Sequence, residues 1–247
     1  RMAPRDAVET GAVVGRAARI DDRLAEVKRR VDAGASLVKL KMLPRAGDVD
    51  AVRAVREAWP GLALAVDLNG RAGPGDLDLL ARLDPLDLRY VEQPFPADDL
   101  SGSAALASRL AAPMALDESI TSAAAAESAI RFGAATVLNV KPARLGGPVA
   151  AAQVLRLAAD HGVDAFCGGM LETGIGRAAA LAVASLPACT LPTDLGPSSA
   201  YVVVDLTDPL ELDGQGRLAV PAGPGIGRVP DPDRLDAVTV DRLLLAR

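Results

Sequence analysis

Apolar positions along the chain alternate between two periods. DDRLAEVKRRVDAG (21–34) sets Leu24, Val27 and Val31 at helical spacing and ends at Gly34, a residue suited to stopping a helix. SLVKLKM (36–42) then reads as a strand. The same helix-then-strand unit recurs: DVDAVRAVREAWPG before LALAVDLNG, GDLDLLARL before LDLRYVEQP, DDLSGSAALASRLAAP before MALDES, TSAAAAESAIRFG before ATVLNVKP, GGPVAAAQVLRLAADHG before VDAFCGG, and GIGRAAALAVASLP before ACTLP. AVETGAVVG (7–15) supplies an initial strand, so eight strands and seven helices alternate. The strands are short and apolar without polar alternation, as expected of a parallel sheet covered on both sides.

Such alternation suits either a doubly wound open sheet or a closed barrel. The charges decide between them. Lys41, Asp67, Glu92, Asp117 and Lys141 each fall at the end of a predicted strand, at intervals of 26, 25, 25 and 24 residues. An open sheet concentrates ligands at its switch point, whereas a barrel brings the carboxyl ends of all its strands around one mouth. The fold expected is therefore an α/β, TIM-like (β/α)7β barrel.

Residues i and i+2 of a strand face the same side, so Lys39 and Lys41 point together. An edge strand guarded by charge is the plain alternative. Three carboxylates converging in one mouth repel unless a cation joins them. Asp67, Glu92 and Asp117 offer only oxygen donors, which suits Mg²⁺ or Mn²⁺. Glu118, beside Asp117, is expected to point away. Lys41 and Lys141 flank the acids, and Lys39 is placed to tune Lys41 by adding positive charge beside it. The arrangement suits removal of a proton alpha to a carboxylate, where charge develops on two oxygens.

Composition narrows the field further. Apolar residues make up 50% of the 247 positions but aromatics only 2%, so the core is built from Ala, Val and Leu. The net charge of -5, with no basic cluster interleaved with aromatics, speaks against nucleic acid. No signal peptide or long uncharged apolar span suggests a membrane. Cys167 and Cys189 fit neither a metal knuckle nor a disulfide framework, which makes a reduced cytoplasmic setting the default. His161 sits at a helix end and reads as a capping or surface residue.

KLK, AVDLN, VEQP, LDES and NVKP, with the later CGGMLETGIGRA, resemble the enolase superfamily, muconate-lactonizing-type subgroup, and specifically its o-succinylbenzoate synthases and N-succinyl- or N-acylamino acid racemases. The resemblance runs from about residue 7 to the C-terminus. It implies that Asp67, Glu92 and Asp117 ligate Mg²⁺, that Lys41 and Lys141 stand on opposite faces of a small carboxylate substrate, and that Lys39 supports them. Candidate substrate contacts are Asn69 and, in GGMLETGIGR (168–177), Gly169, Met170, Leu171 and Glu172. There the loop N–H groups and the next helix N-terminus would favour an anion.

The first reading is an o-succinylbenzoate synthase, a lyase of menaquinone biosynthesis. The alternatives are the racemase, both activities together, or a truncated, inactive barrel. The resemblance implies an N-terminal capping domain in relatives, which residues 1–247 are expected to lack. Residues 1–200 are expected to form the barrel, and 201–247 a segment that in relatives packs back toward that cap and here exposes apolar surface. A homo-oligomer is expected when the cap is present.

Overall fold

The computed structural model describes residues 3–243. Its elements in chain order are β1 (Ala7–Glu9), β2 (Ala12–Val14), α1 (Ile20–Asp32), β3 (Val38–Lys41), α2 (Ala46–Ala58), β4 (Leu64–Asp67), α3 (Leu77–Leu80), β5 (Val91–Glu92), α4 (Leu100–Ala107) and β6 (Met114–Leu116). There follow α5 (Ala123–Arg131), β7 (Val137–Val140), α6 (Pro142–Leu145), α7 (Pro148–Asp160), β8 (Asp164–Cys167), α8 (Gly174–Ala184), β9 (Arg217–Ala219) and α9 (Pro232–Val238). Strands β2 to β8 form a parallel sheet in sequence order. An irregular segment closes it: the N–H groups of Thr190 and Leu191 donate to Ala165 O, while Gly11 N donates to Thr193 O and Thr193 N to Glu9 O. The eighth barrel position is therefore filled by the segment around ACTLP without regular ladder pairing.

The expected first strand splits in two. The break falls at Thr10 and Gly11, and the close approach there suits glycine, since a Cβ at Gly11 would stand 3.0 Å from the Leu37 carbonyl oxygen. β2 enters the barrel beside β3, while β1 pairs antiparallel with β9. The expected helix GDLDLLARL also shortens. α3 lies between two 3-10 turns, Pro74–Asp76 and Ala81–Leu86, the second containing Pro85. Proline lacks an N–H and disfavours helix in the residue before it, so an α-helix cannot run through.

Two apolar layers lie between the sheet and the helices, one of them rich in the alanines of α5, α7 and α8. A third cluster fills the barrel interior with Leu37, Ala65, Tyr90, Ala115, Val137, Phe166 and Leu191. The Tyr90 and Phe166 rings stack with centroids 5.3 Å apart. Two positions further along each strand, on the same side, stand Lys39, Asp67, Glu92, Asp117, Asn139 and Gly168. The barrel thus carries a polar layer on an apolar floor, with its ionisable groups toward the strands' carboxyl ends.

The C-terminal part is only partly anchored. Leu210 and Leu218 are buried, yet Val203, Val204, Val229 and Val240 are exposed. Residues 201–204, an apolar run, form a turn and bends rather than a strand. Among the described residues no helix is long and apolar enough to cross a membrane.

Candidate active site

The ladder sets Lys41 beside Asp67 and Asp67 beside Glu92 on neighbouring strands. Lys41 Nζ donates to Asp67 Oδ2 at 2.5 Å and to Asn69 Oδ1 at 2.8 Å. Across the row, Lys141 Nζ donates to Asp117 Oδ2 at 2.7 Å. The two lysines bracket three buried acids, Asp67, Glu92 and Asp117. Glu118 turns aside and accepts from Asn69 Nδ2 at 3.0 Å.

The backbone beside the acids is unusual. Asn69 and Gln93 have φ of +46° and +36°, a region non-glycine residues rarely occupy and one that clusters at functional sites. At Gln93 this turn sends the side chain inward. Its Oε1 accepts from Asp117 N at 2.9 Å and Ser119 N at 3.2 Å, while Nε2 donates to Phe95 O and Ser119 Oγ. Gln93 therefore fixes the backbone that presents Asp117.

Lys39 is spent differently from the expectation. Its Nζ donates to Glu92 Oε2 at 2.7 Å and Asp194 Oδ2 at 2.6 Å, and lies over the Phe166 ring. Burial works to lower its pKa, but Asp194 and Glu92 outweigh this and raise it well above the ordinary lysine value. Its charge neutralises two carboxylates, so little of it is left to tune Lys41. Burial pushes the Glu92 carboxyl up to about 8; Lys39 opposes this, while Asp67, Asp117 and Asp194 add to it.

Several residues in the site escaped sequence reasoning. Asp194 follows the irregular eighth segment and receives Gly169 N at 2.9 Å as well as Lys39. Asn139 Nδ2 donates to Glu92 Oε1 at 2.7 Å. Arg144 Nη1 donates to the Asp117 carboxylate at 2.5 Å and to its carbonyl at 2.7 Å. Asn139 was visible two residues before Lys141 on the same strand face. Asp194 and Arg144 lie beyond regular strands, where no periodicity marks them.

The loop after β8 is built around missing side chains. A Cβ at Gly168 would stand 2.0 Å from Asn139 Oδ1 and 2.8 Å from Lys141 Cε. Met170 and Leu171 are exposed, Leu171 at 89%. Glu172 is partly buried, and its pKa is raised by burial against the pull of Arg177. Arg177 lies fully buried under the loop, donates to Met170 O at 3.2 Å, and stacks its guanidinium on the Tyr201 ring. The N-terminus of α8, expected to attract a substrate anion, is already taken: Asp205 Oδ1 accepts from Gly174 N at 2.7 Å. His161 is the exposed C-cap of α7, as expected, with Nδ1 3.0 Å from Leu157 O.

Among the described residues no three His, Cys, Asp or Glu side chains stand together as a ready metal cluster. The cause is visible: Lys39, Lys41, Lys141 and Arg144 each hold an oxygen of Glu92, Asp67 or Asp117. The donor set nevertheless fits a hard divalent cation. It is all oxygen, and the charge of Asp67 and Asp117 is still felt at Glu92.

A closed α/β barrel with a row of strand-end acids between two lysines matches the Enolase C-terminal domain-like family, whose model aligns with residues 22–234; the chain belongs to that family. Within it, the chain resembles the o-succinylbenzoate synthase and N-succinylamino acid racemase group. The chain is 46% identical over 240 residues to the N-succinylamino acid racemase of Amycolatopsis sp, covering 97% of this chain and 65% of that protein. It is 39% identical to the o-succinylbenzoate synthase of Bacillus subtilis, covering 90% and 60%. An enolase superfamily member from Listeria innocua superposes with a TM-score of 0.91 at 35% identity, covering 95% of this chain and 63% of that one. The chain thus spans about 60 to 65% of the length of these proteins.

Proposed function

We propose that this barrel removes the proton alpha to a carboxylate and that its substrate is an N-succinylamino acid, which it racemises. The observation that carries this reading is the placement of Lys41 on Asp67 and Lys141 on Asp117, with Glu92 between. One ammonium stands at each end of the acid row, so a planar intermediate seated over that row would be open to a lysine on either face.

Asp67, Glu92 and Asp117 would hold Mg²⁺ or Mn²⁺, which when bound stabilises the negative charge forming on the substrate's carboxylate oxygens. Neutral Lys41 takes the alpha proton from one face, and protonated Lys141 returns one to the other. The opposite enantiomer reverses the roles, so protons balance. Asn69 and the Gly169–Glu172 loop would meet the remainder of the substrate.

The synthase, first in the sequence reading, becomes the second. Relatives at 46% and 42% identity are N-succinylamino acid racemases, and they support racemisation better than the synthase at 39% does. As a synthase, Lys41 would take the alpha proton and the substrate hydroxyl would leave with a proton, a net loss of water.

The test follows exchange of the alpha proton in D2O by NMR, with N-succinyl-L- and N-succinyl-D-amino acids and Mg²⁺. Lys41→Ala should lose exchange from one enantiomer and Lys141→Ala from the other. Equal loss from both enantiomers in each variant contradicts the two-face mechanism. Turnover of succinyl-hydroxycyclohexadiene-carboxylate without any amino acid exchange decides for the synthase. Metal binding without turnover of either substrate decides for an inactive barrel.

A further inference from the structure

Beside the mouth, between the starts of α1 and α2, lies a cleft of about 430 Å³ whose lining includes Arg16, Arg19, Arg23 and Arg45 but a single carboxylate, Asp48. Three features there are unfavourable as they stand. The N-cap residues of both helices are arginines, Arg19 and Arg45, with no side-chain cap bond. Positive charge at a helix N-terminus opposes the helix dipole, and arginine has no side-chain oxygen to accept the orphan N–H groups. Arg23 is only 1% exposed, yet its Nε and Nη1 have no partner among the described residues.

Asp21 and Asp22 in the first turn of α1 and Asp48 in that of α2 favour the two dipoles, but they leave Nε and Nη1 of Arg23 without a partner among the described residues. Asp48 stands 3.8 Å from Arg16 and 3.9 Å from Arg23, with one oxygen already taken by Leu43 N at 2.9 Å. Arg19 turns outward to Asp21 in an exposed pair. Arg45 has no ion pair among the described residues. Burial depresses the Arg23 pKa, Asp48 opposes this, and Arg16 adds to it.

We propose that a phosphate-bearing anion binds in this cleft, held by Arg16, Arg23 and Arg45 at the joined N-termini of α1 and α2. Guanidinium forks and helix N-termini are the two groups best matched to a tetrahedral dianion. None of these residues is assigned to proton transfer or metal binding, so the site stands apart from the proposed chemistry. It also touches that chemistry at one point, because Arg23 Nη2 donates to the carbonyl of Lys41 at 3.0 Å.

The test is calorimetry on the whole chain, titrating inorganic phosphate and, separately, glycerol phosphate against chloride at matched ionic strength. Saturable one-site binding is expected. Arg16→Gln and Arg45→Gln should each weaken it by about 3- to 10-fold, the range of one charge-assisted contact. Both side chains are exposed, so these variants avoid the folding risk of altering Arg23. Arg131→Gln, on α5, is the control and should change nothing. Tighter binding of the ester marks a phosphorylated metabolite as the ligand, and tighter binding of the inorganic ion marks free phosphate. Absence of saturable binding, or equal weakening by the Arg131 control, overturns the proposal.

Discussion

Lys39 and Asp194 lie 155 positions apart, and Lys39 Nζ donates to Asp194 Oδ2 at 2.6 Å inside the barrel. The bond ties β3 to the irregular segment that closes the ring, so one buried pair links the two sides of the closure. Burial pushes the Asp194 carboxyl up, but Lys39 outweighs it and holds the group below the usual carboxylate range. Removing Asp194 would leave Lys39 paired with Glu92 at 2.7 Å, so what is lost is one charge-assisted hydrogen bond across the closure. Asp194→Ala should therefore cost about 1.5–3 kcal/mol of stability, read by urea denaturation. A loss under about 1 kcal/mol would mean that closure depends on the backbone bonds alone.

The raised Glu92 carboxyl makes stability depend on pH and on metal. Its folded value of about 8 lies above the ordinary 4.5, so between these values the folded chain binds more protons than the unfolded one. Stability from this group is fully present below about 4.5 and is lost as pH rises through 8. The chelated protein should melt at progressively lower temperature across that window. Saturating Mg²⁺ should flatten the slope, and Glu92→Gln should abolish both the slope and most of the metal affinity. A chelated protein whose melting temperature rises across the window would contradict the assignment.

Gln93 positions Asp117 through the backbone, so its effect should appear in metal binding. Gln93→Leu removes the acceptor for Asp117 N and Ser119 N and puts an apolar side chain of similar size in its place. The expected result is a folded protein with metal affinity reduced about 10- to 100-fold, as for groups that orient ligands from behind. Calorimetry with Mg²⁺ reads this directly. Unchanged affinity would show that Asp117 needs no such support.

The repeating helix-strand unit and the strand-end charges were legible because both follow from periodicity. A strand facing a barrel interior repeats at two residues, and Lys39, Lys41, Asp67 and Glu92 all sit on that period. Asp194 was hidden because its segment forms no ladder. Gln93 was hidden because its role depends on φ, which a VEQP motif does not display. The Asp205 cap on α8 joins residues 31 positions apart, with nothing local to announce it. Prolines 74 and 85 and the Gly11 break are visible in the sequence, yet only the packing shows that they divide elements rather than bound them.

That Asp205 cap also fixes the loop carrying Glu172. Burial works to raise the Asp205 carboxyl, but the Gly174 N–H, the Ser198 side chain and the N–H groups of Leu206 and Thr207 bring it below its ordinary value. Arg234 Nη1 then holds the carbonyls of Asp205 and Thr207 at 3.2 and 3.0 Å. All of this requires glycine at 174, where a Cβ would stand 2.0 Å from Thr207 Oγ1 and 2.9 Å from Asp205 Oδ2. Gly174→Ala should therefore push residues 205–207 off the helix end at a cost of about 1–3 kcal/mol, whereas Asp205→Asn, losing only the charge on the cap, should cost about 1 kcal/mol. Because Asp205 is depressed, its contribution is present above the ordinary carboxylate pKa and lost as pH falls through the folded value. The stability gap between wild type and Asp205→Asn should close in acid. Hydrogen exchange should quicken in 168–173 and 201–209 of Gly174→Ala, and kcat/KM should fall while Mg²⁺ affinity holds, since Asp67, Glu92 and Asp117 lie on other strands. If exchange and melting match the parent, the α8 cap does not organise the loop.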